Sequence, residues 1–217
     1  MNRKLQRLKY LILDSFSAAI AWVLFFSYRK EVVEPQLFGS DVPFLFNSQF
    51  WLGVVSITLF WLILYSLLGF YKNVYRKSRL IELGQTLLQS FVGVLIIFFV
   101  AILDDFIPSY KNYYSSIAIL FIVHFMITYI FRFIFTSHTV HKIHNRYIGF
   151  NTLIVGGGNS AIDMFKYLTE SKKSGGNLIV GFVNGMDENG YALKEYIPYL
   201  GSYKDLRSVI KMKNIEE

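Results

Sequence analysis

Apolar positions fall into four long blocks divided by short charged segments: Tyr10–Tyr28, Phe50–Tyr71, Leu87–Leu103 and Ile117–Phe135. At 1.5 Å rise per residue, blocks of about 17–22 residues reach roughly 26–33 Å, enough to cross a hydrocarbon core with modest tilt. The pattern therefore predicts four transmembrane helices, the third reaching back through Leu83. From Gly149 onward the periodicity changes. "NTLIV" (Asn151–Val155) reads as a short β-branched strand and "AIDMFKYLTESKK" as an amphipathic helix. "NLIVGFV" reads as a second strand, "IPYLG" as a third strand or turn, and Lys204–Lys211 as a helix. Strand, helix and strand in that order predict a parallel sheet.

Composition agrees with a chain of two halves. Charged residues make up 17%, against about 25% in soluble domains, and the deficit lies in the first two thirds. The expected fold is a membrane α-helical bundle of four transmembrane helices followed by a partial α/β Rossmann-like domain. The boundary falls at Tyr147–Gly149, giving a membrane domain over 1–147 and a Rossmann-like domain over 148–217. There is no cysteine, which excludes disulfides and Cys-ligated metal centres.

The net charge of +7 sits beside the apolar blocks, where basic residues set topology and meet anionic lipid, so nucleic acid is not the expected partner. Arg3, Lys4, Arg7 and Lys9 precede block one. Lys72, Arg76, Lys77 and Arg79 follow block two against Glu82 alone, and Lys142 and Arg146 follow block four. The two other loops are acidic or balanced, with Arg29 and Lys30 against Glu31, Glu34 and Asp41, then Asp104 and Asp105 against Lys111. Both ends of the bundle are therefore expected in the cytoplasm. Block one resembles a signal peptide in its basic start and its "SAAIA" stretch, but the apolar run continues as "WVLFF", so a retained anchor is expected.

Three charged or histidine side chains lie within the blocks. Asp14 is a functional candidate by default, or else snorkels or pairs with Arg7 or Lys9. His124 reads as a neutral histidine hydrogen-bonded to a neighbouring helix. Arg132 can reach the headgroups by snorkelling. His138, His141 and His144 recur every three residues, a spacing that rotates around a helix instead of converging, so no metal site is expected. Arg76, Lys77 and Arg79 form a cationic edge ahead of Leu80, Leu83 and Leu87. That suits an interfacial stretch in contact with lipid phosphates, a polyprenyl phosphate among them, or one serving topology and lipid adhesion alone.

"GGGNSA" supplies Gly156, Gly158 and Ala161 in a G-x-G-x-x-A arrangement between strand and helix, with Asn159 at the helix start. The first glycine permits the turn, the second a close phosphate, the third small residue close helix packing. Free N–H groups at the helix start favour an anion, so a nucleotide is the candidate cofactor. The opposing reading is a purely structural loop. The second strand ends in Asn184 where a carboxylate would grip a ribose, and Asp187 lies three residues further on.

The loop "FYKNVYRKSRLIEL", the stretch "FNTLIVGGGNSA", and then "IVGFVN" and "IPYLGSYKDL" together resemble the N-terminal region of large bacterial polyprenyl-phosphate sugar-1-phosphate transferases. These are the sugar transferases of exopolysaccharide, capsule and O-antigen assembly. The resemblance covers essentially all of the chain. It implies transfer of a sugar-1-phosphate from a nucleotide sugar to polyprenyl (undecaprenyl) phosphate at the bacterial inner membrane, with the Rossmann-like part a regulatory or ligand-sensing module in the cytoplasm. A homo-oligomer is compatible with it. Catalysis in that family belongs to a C-terminal domain with a re-entrant helix and an acidic pair. No segment corresponds to it, so no catalytic residue is carried over, and the sheet reads as one cut short. Membrane-bound nucleotide-sugar 4,6-dehydratases share this front end but tend to carry an aromatic-rich stretch where this chain has "YRKSRLIEL". A membrane-anchored sensor or assembly partner is the third reading.

Overall fold

The computed structural model describes residues 3–35, 46–72, 74–75, 77–102, 110–184 and 192–216, with backbone alone at 3, 101–102 and 110–113. Asp41, Arg76, Leu103, Asp104, Asp105 and Asp187 lie outside the described residues. The chain forms two compact units, Asn2–Ser137 and His138–Glu217.

The first unit holds α1 (Arg3–Tyr28), α2 (Ser48–Leu67), α3 (Arg79–Ile97) and most of α4 (Tyr110–His144). α1 runs on into a π-helical turn over Arg29–Val33, and α3 into another over Phe98–Ile102. Each helix covers most of one predicted apolar block. α3 starts well before Leu83 as a single helix with the basic edge at its head. Two starts are capped from the sequence: Asn47 Oδ1 accepts from Phe50 N at 2.9 Å, and Ser78 Oγ accepts from Ile81 N at 3.2 Å. Four helices, Lys4–Val33, Ser48–Leu67, Arg79–Val100 and Tyr114–His144, are long and apolar enough to cross a membrane, which supports membrane association.

The distribution of side chains in this unit suits a lipid solvent. On α1 the exposed row is Ile12, Phe16, Ile20 and Leu24, and on α2 it includes Leu52, Val55, Leu59 and Ile63. The buried row of α4 is Ser116, Leu120, His124, Thr128, Arg132 and Thr136, one residue every four and all polar but Leu120. Glu82, Thr86, Gln89 and Ser90 are buried on α3, with Gly93 and Val94 one turn further along the same face. Apolar surface costs nothing against lipid tails, whereas a polar group there needs a partner, so the polar rows turn inward. Tyr10, Phe25, Trp61, Tyr65 and Phe70 fill the space between them.

The second unit contains β1 (Phe150–Val155), α5 (Asn159–Glu170), β2 (Asn177–Asn184), β3 (Tyr199–Ser202) and α6 (Leu206–Met212). The three strands pair in parallel in the order β1-β2-β3, as the strand–helix–strand reading predicted. Ile154, Phe182, Leu193 and Ile197 form its core, with Ala161, Ile162 and Phe165 of α5 packed against them.

Candidate functional site

Two sites are built from residues the sequence singled out, one in each unit. In the α/β unit, β1 ends at Val155 and the chain turns into α5 through Gly156, Gly157 and Gly158. Gly156 has φ +117°, a conformation closed to ordinary L side chains, so its glycine is explained by the turn. Gly158 is different. It caps α5 with φ −81°, and a Cβ built on it meets nothing within 4 Å. Neither backbone nor packing requires a glycine there, and the space in front of it is open. Ala161 N and Ile162 N both donate to Gly158 O, at 2.9 and 3.2 Å. The N–H groups of Asn159 and Ser160 have no backbone partner among the described residues. An exposed loop with two free amides at a helix start is suited to an anion.

A groove of about 660 Å³ runs from this loop along β1, lined by Gly156, Gly158, Asn159, Ala161, Leu153 and Met164 among others. The structure thus brings Gly156, Gly158, Asn159 and Ala161 together at one end of one groove. Among the described residues no acidic side chain lines it, and Asn184 is half-buried at the end of β2. Gly156→Ala is expected to destabilise the unit by about 1–3 kcal/mol through backbone strain. Gly158→Ala is expected to stay within about 0.5 kcal/mol of wild type. Thermal unfolding of the two variants in detergent checks the contrast; equal losses would contradict the roles given to the two glycines. Isothermal titration with CoA, NAD(P) or a UDP-sugar is expected to show weak binding or none, because β2 ends in Asn184 and no carboxylate for a ribose lines the groove among the described residues. Gly158→Val is expected to abolish whatever binding is found.

The site in the helical unit is a buried charge network. Arg132 and Asp14 are both wholly buried, and they form a two-point ion pair: Nε to Oδ1 at 2.8 Å and Nη2 to Oδ2 at 3.0 Å. Tyr71 donates its hydroxyl to Asp14 Oδ2 at 2.7 Å. Arg132 Nη1 donates to Thr86 Oγ1 at 3.1 Å and to Gln89 Oε1 at 3.2 Å. Its guanidinium lies 3.6 Å from the Phe70 ring centroid and 4.2 Å from that of Tyr65. This corrects two expectations. Arg132 does not snorkel to the headgroups, and Asp14 pairs with neither Arg7 nor Lys9. The pair closes across 118 positions of chain, a partnership no local spacing announces. The four-residue polar row of α4 was the signal available, since it implies an inward face that must be satisfied. His124 follows its expectation: Nε2 and the Tyr65 hydroxyl lie 2.7 Å apart between α4 and α2.

The basic edge splits. Arg79 is exposed at the head of α3, with its guanidinium 5.6 Å from the Phe133 ring centroid. Lys77 is buried, its Nζ 2.9 Å from the Phe70 ring centroid and without a hydrogen bond among the described residues. Burial pushes its ammonium down to about 7, and the charge of Arg132 adds to the effect. Arg76 lies outside the described residues. His141 Nε2 lies 2.8 Å from Asn145 Nδ2 at the end of α4.

A family model described as a CoA-binding domain matches residues 66–217; the domain is found in sugar transferase-associated proteins. No curated protein and no solved structure matches the chain.

Proposed function

Given that the chain belongs to the CoA-binding domain family, we propose that it is the membrane-anchoring and Rossmann-like regulatory portion of a bacterial sugar transferase. That enzyme moves a sugar-1-phosphate from a nucleotide sugar to polyprenyl phosphate in polysaccharide biosynthesis, releasing the nucleoside monophosphate. The observation that carries the reading is the combination in one chain: four helices of membrane-crossing length, then a parallel α/β unit with an anion-suited glycine loop, in a family associated with sugar transferases. The balance of basic loops supports an inner-membrane location with the α/β unit in the cytoplasm. In this reading Arg76 and Arg79 contact lipid phosphates. A nucleotide-type ligand at the glycine loop is held weakly, through the backbone N–H groups at the start of α5.

Two measurements test the reading. Disrupting the gene should abolish the polyprenyl-diphosphate-linked sugar in membrane lipid extracts; an unchanged level would overturn the assignment. This chain alone, reconstituted in liposomes with a UDP-sugar and polyprenyl phosphate, should release no UMP above background. Clear turnover would move catalysis onto residues given no such role here.

A further inference from the structure

Three segments far apart in the chain meet at one end of the α/β unit, the end where the parallel strands begin. The first is the end of α4 and the turn after it. The second is the α5–β2 loop over 171–176, held beside it where Ser174 N donates to His144 O at 3.4 Å and Arg146 Nη2 donates to Thr169 O. The third is the stretch that follows α6 and returns to the start of β1. There Asn151 Nδ2 donates to Lys213 O at 3.0 Å, and Glu216 N donates to Asn151 O at 2.8 Å.

The charges of the unit are divided along its strands. The end where the strands begin carries Lys142, Arg146, Lys172, Lys173, Lys211 and Lys213, all exposed, against Glu170 and Glu216. The glycine-loop end carries Lys194 and Lys204 against Asp163, Glu195 and Asp205 among the described residues. Leu193 N donates to Gly157 O at 3.2 Å, which fixes the turn of Lys194 and Glu195 at that end. Two large side chains project among the cations: Tyr147 is 80% exposed and Met212 is 72% exposed. Cations interleaved with projecting aromatic and apolar tips suit a surface of anionic lipid. The covalent path selects the same end. α4 is one of the helices of membrane-crossing length, through His144, so Lys142 lies in its last turn and Arg146 and Tyr147 directly after it.

We propose that this end of the α/β unit is a docking face for the anionic headgroups of the leaflet from which α4 emerges. The six cations meet lipid phosphates, and Tyr147 and Met212 enter the headgroup layer. The glycine loop stands at the other end of β1, a strand of 6 residues and so about 20 Å long. It therefore opens to water, and a ligand reaches it from solution and not from the bilayer. The inference rests on α4 crossing the membrane and is independent of the sugar-transferase reading.

The chain has no cysteine, so a single nitroxide label can be placed at will. Gly175→Cys marks the docking face and Glu195→Cys the glycine-loop end. Both positions are exposed, and a Cβ on Gly175 comes no nearer than 3.7 Å to its neighbour Asn177 Nδ2. The full chain is placed in nanodiscs of phosphatidylcholine alone or mixed equally with phosphatidylglycerol. Power-saturation EPR then reads the collision of each label with a neutral, water-soluble nickel chelate. Phosphatidylglycerol should lower the collision rate at position 175 about twofold or more and leave position 195 unchanged. Salt at about 1 M, where the Debye length is about 3 Å, should reverse the drop. Lys172→Glu combined with Lys173→Glu should remove it, whereas Lys194→Glu combined with Lys204→Glu, an equal change of net charge at the other end, should leave it in place. Equal collision rates in the two lipids would overturn the proposal, as would an equal drop at both labels. A drop that survives reversal of Lys172 and Lys173 would refute the role given to this face.

Discussion

Arg132→Leu should cost the helical unit about 3–5 kcal/mol, because it strands a carboxylate that has no route to water. Asp14 is wholly buried, and its oxygens are satisfied by Arg132 from α4 and by the Tyr71 hydroxyl. Without the guanidinium, a single hydroxyl faces a full negative charge. Asp14→Leu should be comparably harmful, since it removes both charged hydrogen bonds of the Arg132 guanidinium and leaves it bonded to the neutral oxygens of Thr86 and Gln89 among the described residues. The double variant should be more stable than either single one, because the uncompensated charge disappears with its partner. Arg132→Lys should fall between, having charge but no planar fork to serve Asp14 and α3 together. Fluorescence-detected size exclusion after graded heating in detergent reads all four. Additive losses in the double variant, or a wild-type melting point for Arg132→Leu, would sink the claim that this pair holds α1, α3 and α4 together.

Gly93→Ala should also be severe, although it adds a single methyl group. Gly93 is buried on α3, and a Cβ there would fall 2.2 Å from Trp61 Cζ3 and 2.9 Å from Leu64 Cδ2. Trp61 has little freedom to retreat. It is 1% exposed, and its ring stacks on His124 of α4 at 3.6 Å between centroids. Overpacking of this kind costs about 1–3 kcal/mol, and a small residue at a helix contact inside a membrane is what permits the close approach. Gly93→Leu should abolish recovery of folded protein. Combining Gly93→Ala with Trp61→Leu should restore part of the loss by opening the space the methyl group needs. The same thermal measurement decides; no loss in Gly93→Ala would mean α2 and α3 are not held at this distance.

Much of the architecture was legible along the chain. Four apolar blocks predicted four helices, and the change of period after Gly149 predicted a parallel strand–helix–strand unit. Both are local properties, read from the periods of 3.6 and 2 at which side chains return to the same face. Gly156 and Gly158 were legible as a turn leading into a helix for the same reason, since a turn and its helix cap span adjacent residues.

What the sequence determined was therefore which segments are helix or strand, and which positions are small, charged or apolar. The tertiary structure decided what those positions do. It turned Arg132 inward to Asp14, where the sequence suggested snorkelling, because four helices together enclose a polar space that one helix lacks. It divided Lys77 from Arg79, two residues apart yet one buried against Phe70 and the other exposed. It separated two glycines of one motif, one needed for its φ and the other facing empty space. It also returned Glu216 to the edge of β1, 65 residues from Asn151 in sequence. In each case the deciding term is a contact between distant parts of the chain. Desolvation makes such a contact obligatory for a buried charge and hydrogen bonding makes it directional for a strand edge, and neither is encoded in the spacing of neighbours.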